Sequence, residues 1–143
     1  LKLGFLDMDE EIVKKEGMSI ADIFRMYGEE AFRQMETRLL ETLIESEECC
    51  VISTGGGLPL RLENRCLLKE LGTVVYLEVS KDTVVERLSR DTTRPLLAGD
   101  DMEGRVSAML LERGPSYREA ADLAVDVNGK TVGQITEEIR RQL

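Results

Sequence analysis

The sequence predicts an α/β fold, a parallel sheet sandwiched by helices. Two observations carry that expectation: short apolar runs suited to buried strands recur along the chain, and stretches of helical periodicity separate them. Gly4-Phe5-Leu6-Asp7 reads as a strand end. A helix follows from Asp9 to Glu16, and Ser19 with Asp22 three residues on makes a capping-box-like start for another. Glu29 to Ser46 is the strongest helical pattern, with Phe32, Met35, Leu39 and Leu43 on one stripe and Leu40 and Ile44 beside it. Cys49 to Ser53 is a short apolar strand that runs into Gly55-Gly56-Gly57. After a helix near Leu60 to Leu71, Thr73 to Val79 is the clearest strand, and Ser80 caps a helix from Lys81 to Ser89. The polar stretch from Asp91 to Asp101 contains Pro95 and Gly99 and predicts a mobile lid. Glu103 to Glu112 is helical and stops at Arg113-Gly114-Pro115, Leu123 to Val127 is the last strand, and Thr131 to Gln142 closes with a helix. No repeat or linker divides these elements, so one domain over residues 1–143 is expected.

Composition narrows the function classes. The chain has 143 residues, 42% of them hydrophobic and 33% charged, enough for one buried core and against disorder. Its apolar runs are far too short to span a bilayer, and no charged-apolar-small leader opens it, so a cytoplasmic protein is expected. A formal charge of −9 repels nucleic acid and anionic membrane, so anionic small ligands must be held by local arginines. Cys49, Cys50 and Cys66 lack a C-x-x-C pair and suggest buried thiols in a reducing compartment. With no histidine, imidazole bases, triads and His-metal sites are excluded, which leaves carboxylates as proton acceptors.

Several groups can carry chemistry, and each has a plainer reading. Asp7 and Asp9 project from a strand end, where one can serve a metal and the other a substrate hydroxyl; they equally suit a strand terminus and the cap of the next helix. Arg33 and Glu36 are neighbours at i and i+3 and could be an ordinary surface pair. Three glycines at 55–57 cost backbone entropy unless a turn or a ligand requires them, so a ligand-cradling loop competes with a simple tight turn. Arg94 is held extended by Pro95, which suits a reaching side chain or a solvated one. Arg113 could complement a helix dipole, Arg87 could be solvated on an amphipathic helix, and Tyr117 and Arg118 read as scaffold or surface.

Taken in order, Asp7-Met8-Asp9, Phe32-Arg33-Gln34-Met35-Glu36, Thr54-Gly55-Gly56-Gly57, Arg94-Pro95-Leu96 and Arg113-Gly114-Pro115-Ser116-Tyr117 resemble the shikimate kinases across the whole chain. The resemblance implies a P-loop kinase-like fold with a lid, and transfer of the γ-phosphoryl of ATP to the 3-hydroxyl of shikimate in aromatic amino-acid biosynthesis. It further implies that Asp7 sits near Mg2+ through water and that Asp9 binds a shikimate hydroxyl and helps deprotonate the attacking one. Arg33 and Arg113 would grip the shikimate carboxylate, a role that suits the planar guanidinium fork. Glu36 would orient Arg33, and Gly55, Gly56 and Gly57 would let the substrate ring approach backbone amides. Arg94 would close over the transferring phosphoryl group, and Arg87 and the backbone near Asn128 would lie by the adenine.

One part of the family pattern has no counterpart. A Gly-x-x-x-x-Gly-Lys-Ser/Thr phosphate loop does not occur, and Gly129-Lys130-Thr131 lacks the earlier glycine and follows the last apolar run. Leu1-Lys2-Leu3-Gly4 reads like a helix end entering the second strand. The expectation is therefore that a central first strand, the phosphate loop and the first helix, roughly 30 residues, are missing. The 143-residue chain would then be inactive and unstable, rearranged or self-associated, and the complete protein a soluble monomer. Two rivals stay open: a gluconate-type sugar-acid kinase, and a non-catalytic kinase-like binding module.

Overall fold

The computed structural model describes residues 2–90 and 102–143. The expected lid at 91–101, with Arg94, lies outside the described residues. The chain forms two compact units, Leu1–Gly72 and Thr73–Leu143.

In the first unit, β1 (Gly4–Asp7) pairs in parallel with β2 (Cys50–Ser53), Phe5 opposite Val51 and Asp7 opposite Ser53. Asp7 ends its strand and caps α1 (Met8–Glu16), its Oδ1 accepting the Glu10 N–H at 3.2 Å. Gly17 closes that helix at φ 68°, a left-handed turn that glycine adopts without a Cβ penalty. Ser19 starts α2 (Ile20–Ser46) as anticipated, its Oγ accepting the Asp22 N–H. α2 is broken at Gly28 (φ 85°, ψ 170°). Eight residues of straight helix span roughly 12 Å, yet the rings of Phe24 and Phe32 lie 5.0 Å apart, so the break folds the two segments onto one core. That core is Ile12, Ile23 and Phe32, packed by Met18, Ile20, Phe24, Met35 and Leu39. The helix expected near Leu60–Leu71 divides into a 3₁₀ turn (Leu58–Leu60), entered through Pro59, and α3 (Leu62–Leu71).

In the second unit, β3 (Val75–Glu78) pairs in parallel with β4 (Leu123–Asp126), Leu77 opposite Val125. Ser80 caps α4 (Lys81–Arg90), accepting the Thr83 N–H, and Thr131 caps α6 (Val132–Gln142) in a full capping box with Gln134. The helix expected to stop at Arg113 instead runs through Gly114-Pro115 as α5 (Met102–Ala120). Pro115 forfeits one backbone bond, while buried Val106 and Ala120 anchor the helix on either side of it.

The strands thus pair in parallel as the sequence predicts, and among the described residues each has one hydrogen-bonded neighbour. Two further readings are settled. The expected burial of the thiols does not hold: Cys49 and Cys66 are exposed and Cys50 half-buried, all three unpaired, because Cys49 precedes β2 in a loop and Cys66 lies on the outer side of α3. Gly129-Lys130-Thr131 has structural work, since Lys130 Nζ meets Glu138 Oε2 at 2.7 Å and Thr131 caps α6. No helix among the described residues is long and apolar enough to cross a membrane.

Candidate active site

Three elements of the first unit bring the predicted residues together. Asp9, in the first turn of α1, faces the loop after β2: a Cβ added to Gly55 would stand 3.7 Å from both of its carboxylate oxygens. Gly55 itself is at φ 77°, so the turn excludes larger residues on backbone grounds as well. Arg33, on the second segment of α2, donates from Nη1 to Glu36 Oε1 at 2.7 Å and from Nη2 to Glu29 Oε1 at 3.4 Å. It also lies over the Phe32 ring, 5.4 Å from its centroid.

The Arg33–Glu36 pair is not the exposed pair that the i, i+3 spacing allowed. Glu36 is 2% exposed and the Arg33 side chain 16%, whereas Glu29 is open to solvent. Burial is made possible by Gly57. A Cβ there would lie 2.5 Å from Arg33 Cζ and closer still to both terminal nitrogens, so the guanidinium occupies the space a side chain would need. The glycine run is therefore more than a tight turn: its first member faces a carboxylate and its last a guanidinium.

Electrostatics follow from that packing. Burial, and then the charge of Asp7, raise the Asp9 carboxyl above its ordinary pKa, and nearby Arg33 only partly offsets them. Burial likewise raises Glu36, against the opposing hydrogen bond and charge of Arg33. For Arg33 burial works the other way, but the bonds and charges of Glu36 and Glu29 prevail and raise its pKa, so it remains a cation. The arrangement offers a carboxylate of strengthened basicity beside a fixed guanidinium with donors beyond the two used by its glutamates. That combination suits a hydroxy acid. Asp7 uses Oδ1 as a helix cap, which leaves its second oxygen for a cation. No cluster of three metal-ligating side chains occurs among the described residues, so Asp7 could hold a cation only together with ligands from outside the protein.

Sequence reasoning missed Thr37, Asn64 and Arg61. Thr37 Oγ1 donates to Asn64 Oδ1 at 2.7 Å, Asn64 Nδ2 donates to the Leu58 carbonyl at 2.9 Å, and Arg61 reaches Glu30 at 3.2 Å. The available signal was polarity in a buried register: Thr37 sits beside Leu40 on α2, and Asn64 sits four residues before Leu68 on α3. In the second unit, Arg113 is half-buried within α5 rather than at a helix end, and Arg87 is exposed on α4. The Asn128 side chain accepts the Ser80 N–H at 2.9 Å, and the Tyr117 ring lies tilted against that of Tyr76, centroids 5.3 Å apart.

Comparison with known proteins adds independent weight. The shikimate kinase family model matches residues 1–143. The chain belongs to the shikimate kinase family. A shikimate kinase of Thioalkalivibrio sulfidiphilus is 42% identical over 141 residues, covering 99% of this chain and 74% of that protein. One from Francisella tularensis subsp. holarctica is 43% identical over 139 residues, covering 97% and 79%. Among solved structures, shikimate kinase from Acinetobacter baumannii in complex with shikimate superposes with a TM-score of 0.86 at 36% identity, covering 98% of this chain and 78% of that one. The Aquifex aeolicus shikimate kinase gives 0.80, also at 36% identity, with 97% and 80% covered. These relatives carry the α/β P-loop kinase-like fold. The matches do not bear out the expected loss of a first strand, phosphate loop and first helix, nor the expected inactivity of the chain.

Proposed function

We propose that this protein transfers the γ-phosphoryl group of ATP to the 3-hydroxyl of shikimate, giving shikimate 3-phosphate and ADP. The observation that supports it best is the convergence of Asp9 and the buried Arg33–Glu36 pair on one glycine loop. Arg33 receives the substrate carboxylate as a charge-assisted fork, aimed by Glu36. Asp9 accepts a hydrogen bond from the reacting hydroxyl and takes its proton as the oxygen attacks phosphorus. Its raised pKa suits the task, since a proton acceptor works best when its basicity approaches the operating pH. Mg2+, held through Asp7, would neutralise charge on the transferring phosphoryl group. The roles of Arg113 toward the carboxylate, of Arg94 toward phosphate, and of Arg87 and Asn128 toward the nucleotide rest on the family pattern. The reaction is assigned to the cytoplasm, a reducing compartment that suits three unpaired thiols, and to a monomer.

The test is ADP release by the protein, with shikimate or gluconate as acceptor. Shikimate should be used and gluconate not. Asp9→Asn, which keeps size but removes the charge, should lower kcat by about 10²-fold while ATP binding stays within a few-fold. Preference for gluconate, or binding of both ligands without turnover in the wild-type protein, would overturn the reading.

A further inference from the structure

Among the described residues only three polar or charged side chains are buried: Glu36, Thr37 and Asn64. They are linked: Glu36 accepts from the Arg33 guanidinium, Thr37 follows Glu36 in the chain, and Thr37 is hydrogen-bonded to Asn64. Asn64 is fully buried on α3, where a leucine would fill the space without a desolvation cost. Its amide is satisfied at both ends, accepting from Thr37 Oγ1 and donating to the Leu58 carbonyl. Thr37 follows Glu36 in α2, and its hydroxyl also lies 3.1 Å from the Arg33 carbonyl and within 3.4 Å of Arg61 Nη1. Leu58 follows Gly57, the glycine against which the Arg33 guanidinium packs. One amide therefore spans from the residue after the aiming acid to the residue after the packing glycine.

We propose that Asn64, acting through Thr37 and the Leu58 carbonyl, is a positioning residue that sets the spacing between the glycine loop and α2 and thereby the aim of the Arg33 guanidinium at the substrate carboxylate. The bridge is short, buried and directional, so it fixes a distance more sharply than apolar packing does. Without it the loop and helix remain in contact, but the slot that holds the guanidinium has no set width. This assignment rests on Arg33 binding the shikimate carboxylate, so its test includes a readout that needs no ligand.

Asn64→Asp keeps the shape and the acceptor but sets an oxygen against the Leu58 carbonyl; Thr37→Val removes the hydroxyl isosterically, and Thr37→Ser retains it. Asn64→Asp and Thr37→Val should each raise KM for shikimate about 10-fold, the scale of one lost buried hydrogen bond, with KM for ATP unchanged and kcat within about threefold. Thr37→Ser should restore KM to within about twofold of wild type. In an Arg33→Ala background, Asn64→Asp should add no further change, since the residue acts through the arginine. The ligand-free readout is NMR of the Arg33 guanidinium, whose Nε–H signal should shift and broaden in Asn64→Asp and Thr37→Val but not in Thr37→Ser. Should Asn64→Asp fail to fold, the two Thr37 variants carry the test. Unchanged shikimate KM in folded variants, an equal factor with and without Arg33, or an unaltered Arg33 signal would each overturn the proposal. A wild-type protein that ignores shikimate would overturn the functional reading instead, and the guanidinium signal would still decide the positioning.

Discussion

Gly57→Ala separates the clamp from the fold. Gly57 sits at φ −87°, ψ −20°, a conformation alanine accepts, so the substitution brings no backbone strain. Restricting the unfolded chain should even add about 0.4–1 kcal/mol of stability. The new methyl would, however, lie 2.5 Å from Arg33 Cζ, where non-bonded carbons normally keep about 3.5–4.0 Å. The guanidinium must retreat by about 1 Å or more, and as the end of a flexible side chain it can do so. That loosens the 2.7 Å bond to Glu36, a charged hydrogen bond worth about 1.5–3 kcal/mol, so if the bond is lost outright the two terms leave the protein about 0.5–2.6 kcal/mol less stable than wild type. The effect on function should be much larger, because a 1 Å misplacement of a positioning group costs on the order of 10²-fold. Thermal unfolding and steady-state kinetics on the same samples make the assay, with Gly133→Ala as control, where the added Cβ meets only Thr131 Oγ1 at 3.9 Å. A folded Gly57→Ala enzyme within threefold of wild-type kcat/KM for shikimate would show that the position of Arg33 does not matter to the substrate.

Other outcomes follow from the same geometry. Arg33→Ala should lose about 2–4 kcal/mol in kcat/KM for shikimate, while Arg38→Ala, exposed on the same helix, should stay near wild type; equal losses would mean that the helix face is wrongly assigned. The acid limb of the pH–rate profile should lie above the ordinary aspartate range, because burial and Asp7 raise Asp9. Asp7→Asn should move that limb down and Arg33→Leu should move it up, as carboxyl NMR titration would check. Since Asp9 and Glu36 bind protons more tightly folded than unfolded, the stability they contribute is full below their ordinary pKa values and is lost as pH rises through the raised ones. Glu36→Gln should flatten that decline in denaturant titrations. Gly28→Ala should cost about 1–3 kcal/mol, read from the urea midpoint, because φ 85°, ψ 170° is a glycine region; an unchanged midpoint would show that the break relaxes freely.

The strands and most helix starts were legible because they depend on local signals: apolar runs for β1 to β4, and the caps Ser19, Ser80 and Thr131. The end of α5 was misjudged for the complementary reason. Gly114-Pro115 is a local stop signal, and burial of Val106 and Ala120 overrides it. Arg33 and Glu36 were visible as a pair, but their burial depends on Gly57, which arrives from a separate strand and can be recognised only once the chain has folded. Asn64 was invisible on the same account, since a helical asparagine has no sequence signature until its two partners are known.

The break at Gly28 has one more consequence. Along an unbroken helix each residue fixes the azimuth of every later one, so an insertion or deletion of one residue upstream would swing Arg33 by about 100°. At Gly28 that inheritance stops. The register of Ile20–Tyr27 is set by Ile23 and Phe24 in the core, and that of Glu29–Ser46 is set afresh by Phe32 and its neighbours. The front segment can thus change phase without turning the arginine from its loop, so indels upstream of Gly28 should disturb the packing of Ile23 and Phe24 but leave the aim of Arg33 intact, where the same changes between Gly28 and Arg33 would not.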